Sequence, residues 1–121
     1  MDVRIQFDAE GWLACLVLVV VSDVLFFGTL GRRIYPATLE IDWRYAPPAY
    51  AIIALVLSSV RVTSGRPVLC GALIGFAIYG VFNSTELAIR SDWRDGVAPY
   101  VDLAYGTTLC AAVVGANHRL H

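Results

Sequence analysis

Asp23, Asn83, Glu86 and Asp102 each interrupt a long apolar run of this 121-residue chain. A charge placed in an apolar medium without a partner costs at least roughly 2.5–3.5 kcal/mol, so such side chains must face inward and find partners. Carboxylates held in a dry site exchange protons or bind cations, and that is the chemistry these residues could perform. Tyr79, Asn83 and Glu86 are spaced i, i+4 and i+7, which places them on one helical stripe, and Asp102 and Tyr105 are i, i+3 neighbours. Asp23, Tyr79, Asn83, Glu86, Asp102 and Tyr105 therefore form the candidate site, an intramembrane polar cluster.

Other chemistry is not indicated. HExxH, GxSxG and a glycine-rich loop ending in Lys-Ser/Thr are all missing, so the chain is not expected to be an enzyme and no cofactor is expected. His118 and His121 sit on a short polar tail, where solvation is expected and metal binding is not. Cys15, Cys70 and Cys110 are odd in number, show no CxxC spacing and lie inside apolar runs, as small buried apolar residues do. The chain has no lysine, and its nine arginines are spread over every connecting segment, so a nucleic-acid partner is excluded.

The elements that must position the cluster are helices. Apolar residues make up 58% of the chain and charged residues 16%, against roughly 45–50% and about 25% in soluble domains, and the excess lies in four blocks. Spanning a bilayer takes about 20 helical residues, so four spans consume the chain and leave one membrane domain, residues 1–121. The expected fold is an all-α, integral membrane four-helix bundle with spans at 12–30, 47–62, 67–89 and 97–117. The first block is expected to persist in the mature protein, because MDVRIQFDAEGW lacks the basic start of a secretory signal.

Pro47-Pro48 and Pro67 open the second and third blocks at positions where a missing N–H costs nothing. The short link RVTSGR between them predicts antiparallel neighbours. Trp12, Trp43 and Trp93 fall at block ends, as rings at headgroup level do, and the mixed segment from Gly31 to Ala46 is expected to lie along the interface. Arginines number four on the face bearing both termini and five on the other, too even a split to orient the chain. By helical rise Asp23 lies roughly 12 Å from Gly31, Glu86 roughly 6 Å from Arg90 and Asp102 roughly 9 Å from Gly96. Their depths overlap, so all three carboxylates are expected to share one polar region.

Gly71 and Gly75 form a GxxxG, and Gly106 with Cys110 makes a second small-residue pair. Both predict close helix packing, within the chain or against another copy. The partners expected are the lipid bilayer and either a homo-oligomer or a larger membrane assembly.

Three stretches, SDVLFFG from Ser22, YGVFNSTELA from Tyr79 and VDLAYGT from Val101, resemble motifs of the domain of unknown function 2177 family of small predicted membrane proteins. The resemblance runs from Ser22 to Thr107. It implies that Asp23, Gly28, Tyr79, Gly80, Thr85, Leu87, Ala88, Asp102, Ala104, Gly106 and Thr107 occupy family positions. The sequence departs from the family pattern at Asn83, Glu86 and Tyr105, where the family usually carries aspartate, asparagine and tryptophan. The polar stripe of the third helix is thus kept while its charge moves by one turn. The resemblance implies a cell membrane or a virion's internal membrane and implies no activity.

The function expected first is a structural or assembly component of a membrane, and the alternative is a proton-coupled small-molecule or ion transporter using the intramembrane carboxylates. A transporter needs a cavity that reaches the carboxylates, whereas a structural bundle should seal them with hydrogen bonds.

Overall fold

The computed structural model describes residues 2–35, 44 and 46–120. Trp43 and most of the segment expected along the interface lie outside the described residues. The fold is all-α, with one small two-stranded ribbon added. In chain order the elements are β1 (Asp2–Ile5), α1 (Ala9–Phe26), a π-helical turn Phe27–Gly31, α2 (Arg32–Ile34), α3 (Ala46–Ser59), β2 (Val60–Ser64), α4 (Pro67–Ile89), a 3-10 turn Ser91–Asp95 and α5 (Ala98–Leu120).

α1 begins earlier than its apolar block because Asp8 caps it, the Gly11 amide donating to Asp8 Oδ2 at 3.2 Å. The helix continues through the π turn to Ile34, past the expected end at 30. Thr29 Oγ1 donates to the Leu25 carbonyl at 2.6 Å, occupying a group that the widened turn leaves available. The span expected over 47–62 is helical only to Ser59. Val60 and Val62 are β-branched, alternate with Arg61 and bury both side chains by pairing antiparallel with β1. Asn117 Nδ2 donates to the Ser58 carbonyl at 3.3 Å, so the β1–β2 ribbon and the last turns of α5 share one end of the bundle. The link of the 3-10 turn lies at the other.

Packing does not follow the link lengths. α3 packs on α1 and α4 on α5, whereas α3 and α4, joined by the shortest link, do not form a packed pair. The ribbon explains this departure from the expected neighbours, because β2 turns the chain aside to meet β1 before α4 begins. Trp12 Nε1 donates to the Ala51 carbonyl at 3.1 Å and locks α1 to α3. α5 touches both α1 and α3, so it joins the two pairs, and its buried residues Ala98, Asp102, Gly106, Leu109, Val113 and Asn117 form one continuous stripe.

The α4–α5 contact is close because it is made by glycines. A Cβ at Gly71 would lie 2.5 Å from the Cys110 carbonyl oxygen, and one at Gly75 would lie 2.6 Å from that of Gly106. Both glycine motifs are therefore used inside the chain.

α1 buries Gly11, Cys15, Val19 and Asp23, and exposes Leu13, Val17, Val24 and Leu25. α4 likewise buries Cys70, Gly71, Gly75 and Asn83, and exposes Leu73, Phe76 and Val81. Small and polar residues face inward and large apolar ones outward, the reverse of a soluble helix. Ala9–Ile34 and Pro67–Ile89 are long and apolar enough to cross a membrane. The other two expected spans differ from these for separate reasons. α3 has 14 residues, about 21 Å, against a hydrocarbon core of about 30 Å. α5 is long enough, but Asp102, Thr107, Thr108 and its polar ending at residues 117–120 make it less apolar than α1 and α4.

Candidate functional site

Asp23 is on the inward face of α1, four residues beyond Val19, and is 8% exposed; Asp102 is on the inward stripe of α5 and is 5% exposed. Each carboxylate is held by neutral donors. Tyr105 donates its hydroxyl to Asp23 Oδ1 at 2.6 Å, and Tyr50 of α3 lies beside the same carboxylate at the cleft. Asp102 accepts from the Tyr35 hydroxyl at Oδ1 and from Asn83 Nδ2 at Oδ2, the second at 2.7 Å.

Asn83 in turn accepts from the Trp93 indole at 3.1 Å and donates to the Tyr79 carbonyl at 2.8 Å. An amide suits this place because it carries both a donor, used here on the Asp102 carboxylate, and an acceptor, used here by the indole. Phe26 stacks on Tyr105 with ring centroids 3.9 Å apart, and Tyr35 stacks on Trp93 at 5.6 Å, so aromatic packing orients the two hydroxyl donors.

Among the described residues no arginine pairs with Asp23 or Asp102. The two carboxylates are close enough to act on each other electrostatically, and from the packed elements Tyr35, Tyr50, Tyr79 and Tyr105 face them. A cleft of about 360 Å³ reaches both carboxylates, in the gap left where α3 and α4 fail to pack. Tyr35, Tyr50 and Tyr79 contribute to its polar and aromatic wall, and Ala49, Ile53 and Ile78 to its apolar side. Phe82 and Ala49 on its margin are exposed, so the cleft meets the apolar outer surface of the bundle.

Asp23, Asn83, Asp102 and Tyr105 of the sequence-derived cluster are thus joined by hydrogen bonds around this cleft, and Tyr79 lines it with its ring seated on Gly106. A Cβ at Gly106 would lie 2.1 Å from that ring. Glu86 does not enter the cleft. It is half-buried one turn on and pairs with Arg90 at 3.6 Å, while the Arg90 guanidinium lies 5.6 Å from the centre of the Trp93 ring. The turn of helix between Asn83 and Glu86 carries the carboxylate past Asp102 to the bundle end, where an arginine meets it.

Three residues of the site are not in the sequence-derived cluster. Trp93, expected at headgroup level, is 1% exposed and hydrogen-bonded inside the bundle. The 3-10 turn folds it back over α4, which its polar neighbours in RSDWRDG conceal. Tyr35 belongs to the segment expected along the interface, and Tyr50 to an apolar block. The only signal for either was the general one that a buried phenol seeks an acceptor.

A family model described as "Predicted membrane protein (DUF2177)" matches residues 9–118 of the chain. No curated protein and no solved structure matches it.

Proposed function

The chain belongs to the DUF2177 family of predicted membrane proteins, and from that premise we propose that it is a multi-pass integral membrane protein that carries a small molecule or ion in exchange for protons. In this reading all four long helices cross the bilayer, with both termini on one side. The outward-facing apolar surfaces of α1 and α4 support the reading, since lipid replaces water as the medium they meet. α3 crosses with the help of β2, whose Arg61 reaches the Ser58 carbonyl and Asp8 at the bundle end.

The observation that carries transport is the cleft of about 360 Å³ opening onto two buried carboxylates with no cationic partner among the described residues. A sealed structural bundle has no use for such a space. A proton and a cationic group would compete for the same acid pair, which is the coupling that antiport requires. The GxxxG face is occupied by α5, so the proposed unit is a single chain.

The reading as a structural or assembly component draws support from one feature, the hydrogen bonds the carboxylates already accept, two at Asp102 and one at Asp23. Proteoliposomes loaded with a pH-sensitive dye separate the two. Under the transport reading, external sodium or tetramethylammonium drives proton movement that Asp23→Asn and Asp102→Asn abolish. Absence of cation-driven proton movement across both cations, in vesicles shown to contain folded protein, refutes it.

A further inference from the structure

We infer that the cleft takes an organic cation without N–H groups, a quaternary ammonium bearing an apolar arm, and not a metal ion, an anion or a neutral lipid. The inference rests on the cleft being a ligand site, as proposed above, and goes further by assigning the ligand's chemistry.

Charge excludes anions. Asp23 and Asp102 are both more than nine-tenths buried, and no arginine pairs with either among the described residues, so any charge in the cleft is negative and nothing there would compensate an anion. Hydrogen bonding then selects among cations. Tyr105 occupies one oxygen of Asp23, and Tyr35 and Asn83 occupy one oxygen each of Asp102. A divalent metal demands six or more oxygen ligands, and the cleft's lining offers two carboxylates toward that number. No group of three or more His, Cys, Asp or Glu side chains capable of holding a metal occurs among the described residues. A primary ammonium would have to fit its three N–H donors to the lone pairs that remain between these bonds. A quaternary ammonium donates nothing, so it benefits from the carboxylates' charge while leaving every tyrosine bond intact.

The walls fit the same ligand. Tyr35, Tyr79 and Trp93 border the cleft beside the acids, and aromatic faces attract quaternary cations through the ring quadrupole. Ala49, Ile53 and Ile78 offer an apolar side. The unpacked gap between α3 and α4 gives an attached apolar arm a route to the outer surface. The volume, about 360 Å³, lies within the range of roughly 300–1,000 Å³ usual for sites of small organic ligands.

The test measures binding to the full chain in lipid nanodiscs by calorimetry, with no gradient imposed. The probe is benzyltrimethylammonium, compared with its neutral isostere neopentylbenzene and challenged with magnesium chloride and sodium phosphate. The expected result is saturable binding of the cation, at least about tenfold tighter than the isostere and undisturbed by millimolar magnesium or phosphate. The isostere comparison uses the unaltered protein, so it stands even where a carboxylate variant fails to fold. Asp102→Asn, if folded, should weaken the cation at least about tenfold and leave the isostere unchanged. Equal binding of cation and isostere, displacement by magnesium, or no cation binding at millimolar concentration overturns the inference. Cation binding without any proteoliposome flux would overturn transport and leave the ligand class standing. Sodium-driven proton flux without ammonium binding would do the reverse.

Discussion

Adding one methyl group at Gly75 should cost stability, and adding the same group at Gly28 should not. A Cβ on Gly75 would lie 2.6 Å from the Gly106 carbonyl oxygen, 2.8 Å from Thr107 Cα and 2.9 Å from Cys110 Cβ. The first two are backbone atoms, so relief requires α5 to move away as a rigid rod. A separation of 0.5–1 Å forfeits about a quarter to a half of each dispersion contact along the seam. α4 and α5 make the most extensive contact in the bundle, and without a solvent-driven term between helices in lipid those contacts are what holds them together. Overpacking of this kind typically costs about 1–3 kcal/mol. Replacing glycine in a helix returns up to about 1 kcal/mol of propensity, which would blur the result at one site alone. Gly28 supplies the correction, because its Cβ would meet no atom within 4 Å while the propensity gain is of the same kind. The difference between Gly75→Ala and Gly28→Ala therefore isolates the steric term, about 1–3 kcal/mol. At about 4 °C per kcal/mol for a chain of this size, the two variants should melt about 4–12 °C apart, Gly75→Ala lower. The assay is thermal unfolding in detergent followed by circular dichroism, with size-exclusion profiles to show that both variants remain monodisperse. Equal melting temperatures would refute the reasoning and show that the GxxxG face is not a constrained contact.

Tyr105→Phe removes the hydroxyl that donates to Asp23 but keeps the stack on Phe26, so it should lower stability by only about 0.5–1.5 kcal/mol, read by the same melt. Asp102→Leu leaves the Tyr35 hydroxyl and the Asn83 amide without their acceptor and should cost more, about 2–5 kcal/mol; a loss no larger than that of Tyr105→Phe would show that the network is not closed. Thr107 Oγ1 is buried without a hydrogen-bond partner among the described residues, so Thr107→Val should leave the melting temperature unchanged or raise it, and a marked fall would reveal a partner. Cys15, Cys70 and Cys110 are buried and unpaired, so a membrane-permeant maleimide should label none in the native protein and all three after denaturation in dodecyl sulfate, as counted by mass spectrometry. Rapid native labelling would show that the seam opens.

The sequence alone determined the all-α fold and the inward direction of Asp23, Asn83 and Asp102. Both follow from solvation: a run of apolar residues hides its amides in a helix, and a carboxylate within it cannot face an apolar medium. Helical spacing likewise put Gly71 and Gly75 on one face, because periodicity is a local property of the chain. Which helix each face meets is not local. The short RVTSGR link suggested a packed α3–α4 pair, yet β1, nearly sixty residues upstream, captures Val60–Ser64 as its partner strand. That pairing leaves the cleft in which the carboxylates lie. Glu86 shows the same limit at a smaller scale, since the turn of helix that separates it from Asn83 carries it past Asp102 to Arg90 at the bundle end. Trp93, Tyr35 and Tyr50 enter the site from a turn, a helix end and an apolar helix, positions whose convergence depends on how separate elements pack. Periodicity and solvation act over a few turns of chain, whereas a binding cleft is defined by the contacts that distant elements make and by those they fail to make.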